Sequence, residues 1–193
     1  AEAFRLGFLD VPRASVPVIA ALPDGRFAVA AHVFAADGTP GGVFVQHVDA
    51  HGTTGPVHRV SDLGGIEASI ASTNEGAIIT WLAPSKDGYG LRAQYLDAEA
   101  HPIGEPMTIA TDPGAWVSGA HVTSSVDGSC TIAWNEDHSG RGKDRVRLQN
   151  FDRDGEPTGE PTWLSDSLDP GHHLVAASAA SPLAISDHGH LVV

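Results

Sequence analysis

The sequence contains little sulfur, and this shortage excludes several kinds of site. There is one cysteine among 193 residues, so the chain has no internal disulfide and no cysteine-rich metal site. A single cysteine is compatible with the cytosol and with a secreted bacterial protein that uses no disulfides. We expect Cys130, in the apolar stretch GSCTIAW, to be a buried, unreactive thiol rather than a nucleophile.

Positive charge is also scarce. The chain has 11 Lys and Arg residues against 24 Asp and Glu residues, a formal net charge of −13, and no basic run stands out. Because nucleic-acid binding depends on Lys and Arg that neutralise phosphates, this composition disfavours a nucleic-acid partner. We interpret the acidic surface first as a solvated one, with bound cations as the lesser alternative.

Long apolar runs and familiar catalytic motifs are missing. No apolar span reaches 18 residues, so we expect no membrane insertion, and no signal peptide is visible, although one removed before Ala1 is compatible with the sequence. There is no Gly-x-Ser-x-Gly elbow, no phosphate-binding Gly-x-x-x-x-Gly-Lys loop and no His-Glu-x-x-His zinc motif. The 11 histidines are scattered along the chain. No constellation therefore predicts catalysis.

Glycine and proline are abundant instead, at 22 and 13 residues, and they separate short apolar runs. Three stretches repeat the same landmarks: a turn glycine, an apolar strand, a polar glycine loop, Gln-x-x-Asp, and a short closing strand. They end at Asp62, Asp112 and Asp166, which are 50 and then 54 residues apart. The Gln-x-x-Asp pairs, which we interpret as turn formers, are Gln46 and Asp49, Gln94 and Asp97, and Gln149 and Asp152.

This period predicts an all-β fold of repeated four-stranded antiparallel sheets. In the first copy the strands are expected at about 18–22, 27–34, 43–49 and 57–60, separated by Asp-Gly and other turn signals. One such sheet cannot bury both faces, so copies must pack face to face, as in a β-propeller of about four units. The predicted units are 15–62, 63–112, 113–166, and 167–193 joined with 1–10, in a complete or partial ring.

The stretches DGYGLRAQYLDAEAHPIGEP and GKDRVRLQNFDRDGEPTGEP resemble the roughly fifty-residue repeats of large secreted bacterial proteins, including RTX-type adhesins. The resemblance spans essentially the whole chain and implies a repeat-built β fold in an extracytoplasmic, secreted protein. The chain departs from the pattern where His101 follows DAEA in place of a glycine. The first-copy loop AADGTPGG is also poor in carboxylates, so calcium binding is not carried onto every copy.

Candidate site residues come from aromatic and polar loop positions. Trp81 and Trp134 occupy matching repeat positions, which predicts packing between sheets. Trp116 and Trp163 do not match each other in repeat position, and each is a candidate platform for a sugar ring. The loops APSKDGYG and NEDHSGRGKD add candidate ligand-binding residues and, at their acidic positions, a candidate calcium site. The ligand-binding candidates are Trp116, Trp163, Asp87, Tyr89 and His138. The metal candidates are Asp137 and Asp144, in the loop that also contains Glu136.

The function that these patterns favour is non-catalytic. Equivalent loops on one rim add similar weak contacts, which suits an adhesin-like extracytoplasmic module that binds carbohydrate or another surface polymer. One alternative is a glycan-active enzyme with its site at the central opening of the propeller. Another is a structural subunit, a homo-oligomer or a chain whose ring is completed by a partner, because the incomplete fourth unit leaves strand edges open.

Overall fold

The computed structural model describes residues 6–7, 13–15, 17–61, 64–86, 88–109, 111, 114–125, 127–137, 145–164, 184–185 and 191–192. Within these ranges the chain forms β-strands and no α-helix, so no described segment is a helix able to cross a membrane. The strands make three large antiparallel sheets and one two-stranded hairpin, named sheets 1 to 4 in chain order.

Each large sheet is a meander of consecutive strands. Sheet 1 contains β1 (Arg13–Ala14), β2 (Val18–Ala21), β3 (Phe27–Phe34), β4 (Pro40–Val48) and β5 (Thr54–Arg59). Sheet 2 contains β6 (Ile66–Ser72), β7 (Gly76–Ser85), β8 (Gly88–Asp97) and β9 (Pro102–Thr108). Sheet 3 contains β10 (Trp116–Ser124), β11 (Cys130–Asp137), β12 (Arg145–Phe151) and β13 (Thr162–Trp163), and sheet 4 contains β14 (Ala184–Ile185) and β15 (Leu191–Val192).

Sheet 1 has the same four-stranded plan as the others, although its first strand is split. Strands β1 and β2 both pair with β3, β1 near its end and β2 near its start. In sheets 2 and 3 the first strand is continuous but carries a bulge at the corresponding place, between Ser118 and His121 in sheet 3. The prediction of repeated four-stranded antiparallel sheets is confirmed for three copies. Strand β1 lies just before residue 15, where the first unit was expected to begin.

The sheets pack face to face, as the repeat predicted, and β7 is buried on both sides. Its residues Ala77, Ile79 and Trp81 face sheet 1, whereas Ile78 and Leu82 face sheet 3. Because successive strand residues point to opposite faces, a strand between two sheets reads as one continuous apolar run. Trp81 and its counterpart Trp134 are 2% and 0% exposed in the two layers, which confirms their predicted packing role.

The first strands of successive sheets lie side by side. Strand β6 lies between β2 and β10, and β14 lies against β10. Equivalent positions meet: the Glu67 carboxylate accepts the N–H of Gly119 at 2.8 Å, and the Ser124 hydroxyl donates to the Ser72 carbonyl. These strands therefore run in the same direction, and all sheets share two ends. The end at which the first strands begin is called the loop face. The opposite end, which carries the turn after each first and third strand, is called the turn face.

The repeated Gln-x-x-Asp motif joins the third and fourth strands. The buried amides of Gln46, Gln94 and Gln149 each donate to a glycine carbonyl nine or ten residues later. The aspartates each accept two backbone N–H groups of the following turn, which confirms that they are turn formers; the aspartates are Asp49, Asp97 and Asp152.

The ring closure predicted from the chain ends falls largely outside the described residues. Leu6 packs against Val29, Ala31 and Val48 on the outer side of sheet 1, and the Gly7 N–H donates to the side-chain oxygen Oε1 of Gln46 at 2.9 Å. Sheet 4 is a two-stranded antiparallel hairpin beside β10. The described residues contain no closed ring, so closure stays a prediction.

Cys130 lies in the layer between sheets 2 and 3 at 2% exposure, and burial raises its pKa to about 11. Because the thiolate is the reactive form, we expect Ellman's reagent at pH 8 to label the native chain on the order of a hundredfold more slowly than the unfolded chain. Labelling kinetics in buffer and in concentrated urea measure this ratio. Equal rates would mean that β11 separates readily from its neighbours.

Candidate functional site

Two candidate aromatic residues meet on the loop face. Trp116 begins β10 with 58% of its surface exposed, and its ring centroid lies 6.5 Å from that of Tyr89 at an interplanar angle of 76°. Such an edge-to-face arrangement is favourable for two aromatic rings. Gly88, which starts β8, lies beside the Trp116 ring with φ +130°, a backbone conformation that favours glycine. The structure therefore brings two candidates from different repeats into one aromatic pair, in which Trp116 is exposed and Tyr89 is half-buried.

Asp137 lies beside this pair, but in a strand rather than in the expected loop. It is the last residue of β11, it is 7% exposed, and its Cα is the cross-strand partner of that of Trp116. Cross-strand partners have Cα atoms about 4.5–5.5 Å apart. The strand continues this far because Glu136, also expected in the loop, is held by contacts inside the fold.

Glu136 is fully buried and lies at the centre of a polar network in sheet 3. Its carboxylate accepts a 2.7 Å hydrogen bond from the Trp134 indole N–H and lies 3.2 Å from an Arg147 guanidinium nitrogen. Charge-assisted hydrogen bonds of this kind compensate the loss of water around a buried carboxylate. The arrangement explains how an acidic residue can be fully buried within β11.

Trp163, the other candidate platform, lies on the outermost strand of sheet 3. Its half-buried ring is covered by the guanidinium groups of Arg145 and Arg147, at 4.1 and 5.0 Å from the ring centroid. These are cation–π distances. The structure thus connects Trp163 to Glu136 through Arg147 and does not bring it to the Tyr89–Trp116 pair. Its role in ligand binding stays a prediction.

The remaining candidates fall outside the described residues. Asp87 and His138 belong to this group, and so does Asp144, the second carboxylate of the expected calcium site. Asp137 is the only half of that metal pair with a described position. A calcium ion at Asp137 and Asp144 therefore stays a prediction.

Solved structures similar to this chain include those of carbohydrate-active proteins. A Hadza microbial sialidase has a TM-score of 0.61 and 12% identity over 78% of this chain and 37% of its own. An endo-arabinase from Bacteroides thetaiotaomicron has a TM-score of 0.55 and 16% identity, covering 91% of this chain and 67% of its own. An endo-1,4-beta-xylanase from the same organism has a TM-score of 0.52 and 12% identity, covering 93% and 75%.

The fold is propeller-like. At these identities the likeness shows the fold alone, and the chain spans little more than a third of the sialidase chain that it matches. No family model and no curated protein sequence matches the chain. Trp116, at the beginning of the first strand β10, lies on the loop face.

The turn face carries two features that the sequence did not indicate. A groove of about 620 Å³ lies between sheets 2 and 3, with Tyr95, Ile103, Met107 and Arg153 among its lining residues. A group of histidine and carboxylate side chains lies between sheets 1 and 2. Asp97, Glu99 and His101 share one turn, but His58 is 43 residues from His101 in sequence, so only the packing of the two sheets reveals the group.

Proposed function

We propose that this chain is a carbohydrate-binding module whose ligand contacts the loop face at Trp116 and Tyr89. The observation that carries the proposal is the exposure of Trp116, because a large indole left 58% exposed beside a second ring is a surface on which a sugar ring can stack. The loop face has polar groups nearby, Asp137 among them, to orient sugar hydroxyl groups.

Two further considerations support a glycan as the ligand. The similar folds include a sialidase, an endo-arabinase and an endo-1,4-beta-xylanase, so the architecture is one on which glycan sites are built. The net charge of −13 favours a neutral or cation-bridged polymer over a strongly anionic one. An extracytoplasmic location belongs to this proposal, since surface polymers are found there.

The binding test uses xylo-, arabino- and sialyl-oligosaccharides titrated into the full chain, with intrinsic tryptophan fluorescence or calorimetry as the signal. We expect Trp116→Ala to weaken binding by about tenfold or more, because truncating an aromatic anchor removes most of its contact area. Trp116→Phe should retain part of the affinity. The matched control is Ile103→Ala, an exposed apolar residue near the turn face, which should bind as the parent chain does.

The controls also identify the outcomes that contradict the proposal. Weaker binding in Ile103→Ala but not in Trp116→Ala would place the glycan in the groove between sheets 2 and 3. No binding of any of the three glycan classes, in samples that light scattering shows to be properly assembled, would favour the structural role. The same scattering data report whether a second copy completes the ring.

Glycan hydrolysis is the second candidate function, and the position of Asp137 favours it. A buried carboxylate opposite the exposed Trp116 is the kind of group that serves as an acid or base in glycoside hydrolysis. If the parent chain releases reducing ends from the same oligosaccharides and Asp137→Asn does not, the chain is an enzyme. Unchanged oligosaccharides after prolonged incubation would leave the binding function.

A further inference from the structure

Histidine and carboxylate side chains from two sheets meet on the turn face, away from the proposed glycan site. Sheet 1 contributes His58 from β5 and His47 from β4, and sheet 2 contributes Asp97, Glu99 and His101 from the turn between β8 and β9. One potential ligand atom from each of the three sheet 2 residues lies within 4.8 Å of the others.

His58 completes this group from the opposite sheet. Its ring centroid lies 4.3 Å from that of His101, and its Nε2 atom is shielded from solvent without a hydrogen-bond partner in the described structure. A buried imidazole nitrogen without a partner is uncommon, because the loss of hydration is not compensated. A ligand at this nitrogen would supply the missing interaction.

The turn that carries the other groups is held firmly against sheet 1. Ala100 is fully buried between the two sheets at φ +64°, a left-handed conformation that favours glycine. A ring nitrogen of His47 lies 2.9 Å from the Glu99 carbonyl oxygen. The backbone of this turn is therefore positioned before any ligand arrives, and only side-chain rotations are needed to adjust the site.

Asp97 has the position of a carboxylate that orients a histidine ligand. Its Oδ1 accepts the N–H groups of Glu99 and His101, and its Oδ2 lies 3.1 Å from Nδ1 of His101. A carboxylate at one ring nitrogen sets the tautomer and leaves the opposite nitrogen for a metal, an arrangement that is usual around metal-binding histidines.

Arg26 is the competing charge in this region. It pairs with Glu99 at 2.9 Å and with Asp24 through a second contact, so it keeps an anionic partner if Glu99 turns away. Glu99 and His101 have exposed side-chain fractions of 51% and 48%, so solvent leaves space for Glu99 to turn from Arg26 toward a metal ion and for His101 to adjust beside Asp97. Ligand atoms around a zinc ion are roughly 3.4 Å apart, given bonds of about 2.1 Å, so rotations of these side chains can close the present spacing.

We propose that His58, His101 and Glu99 bind one divalent transition-metal ion of the zinc class, with Asp97 as the positioning residue that orients His101. Two imidazoles with a carboxylate suit zinc and its neighbours, whereas calcium prefers an all-oxygen shell. The ion joins sheets 1 and 2 on the turn face and is independent of glycan binding on the loop face.

The test is a calorimetric titration of the metal-free full chain with zinc chloride alone at pH 7.5, where ordinary histidines are mostly neutral. We expect one equivalent to bind. His58→Gln and His101→Gln should each weaken binding at least tenfold, and Asp97→Asn should have a smaller effect. The matched control is His51→Gln, an exposed histidine on the equivalent turn of sheet 1, which should bind zinc as the parent chain does.

Thermal unfolding supplies a second readout, since a ligand that binds only the folded chain raises the unfolding temperature. Zinc should raise it for the parent chain and for His51→Gln but not for His101→Gln. If His58→Gln fails to fold, the zinc response of His101→Gln alone tests the proposal, because the half-exposed His101 side chain is not needed for the core. Absence of binding below millimolar zinc, or equal binding in His101→Gln and the parent chain, would overturn the proposal.

Discussion

Replacing Glu136 by alanine is expected to lower the free energy of unfolding by about 3–5 kcal/mol. The substitution removes the carboxylate that accepts from the Trp134 indole and faces the Arg147 guanidinium, in a layer where Glu136 and Trp134 are both 0% exposed. Desolvated donors that lose their acceptor cost far more than exposed ones. Urea unfolding followed by circular dichroism measures the change.

Matched variants separate the buried charge from simple loss of a side chain. Glu136→Gln keeps an oxygen for the Trp134 N–H and loses only the charge, so an intermediate loss is expected. Glu75→Ala removes an exposed carboxylate from the turn between β6 and β7 and should change stability by no more than about 0.5 kcal/mol. A loss in Glu136→Ala no larger than that in Glu75→Ala would contradict the network as described.

Replacing Trp81 by alanine is the second substitution with a large expected effect, a loss of about 3–5 kcal/mol of stability. Trp81 is 2% exposed in the layer between sheets 1 and 2, and its removal leaves a cavity that rigid strands on both sides cannot fill. The midpoint of urea unfolding should shift accordingly.

Trp116→Ala is the control for this prediction, because it removes the same side chain from an exposed position. It should leave stability within about 0.5 kcal/mol of the parent chain while weakening glycan binding. Trp81 would then be the tryptophan that stabilises the packed sheets, and Trp116 the one that contacts the ligand. Comparable destabilisation by both variants would show that the Trp116 ring contributes to the fold through Tyr89.

The proposed glycan site, on sheets 2 and 3, and the proposed metal site, on sheets 1 and 2, lie at opposite ends of the strands, and their separation follows from the meander. In each large sheet the connection between the second and third strands lies at the loop face, and the turn capped by the Gln-x-x-Asp aspartate lies at the turn face. Loops at the loop face tolerate differences between copies, which allows a single exposed Trp116. The turn face is more regular, so the histidine group depends on a few departures from the repeat, such as Ala100 and His101.

Much of the fold could be predicted from the sequence because each copy contains its own turn and strand signals. Asp-Gly turns and alternating apolar residues fix where strands begin and which side chains face inward, and both signals are local. The second strand of the first copy was predicted at 27–34 and is observed as Phe27–Phe34, whereas the fourth begins three residues earlier than expected, at Thr54. Boundaries of outer strands are less certain because fewer neighbours constrain them.

The candidate site was predicted in part, and the misses share a cause. Tyr89 and Trp116 were both named from the sequence as candidate ligand-binding residues, but their contact depends on how sheet 2 packs against sheet 3. Glu136 was expected in a polar loop, because a carboxylate in a sequence ordinarily indicates solvent. Its burial depends on an indole N–H and a guanidinium that come from other positions in sheet 3.

The sequence by itself determined the repeat, the strand-forming segments, the capped turns and the inward tryptophans, since these follow from spacing and residue type within about fifty residues of chain. Only the tertiary structure decided which side chains of different copies meet: His58 with His101, Tyr89 with Trp116, and Leu6 with the outer side of sheet 1. The physical reason is that such contacts depend on how successive sheets stack, and no local sequence pattern specifies the distance between the faces of two neighbouring sheets.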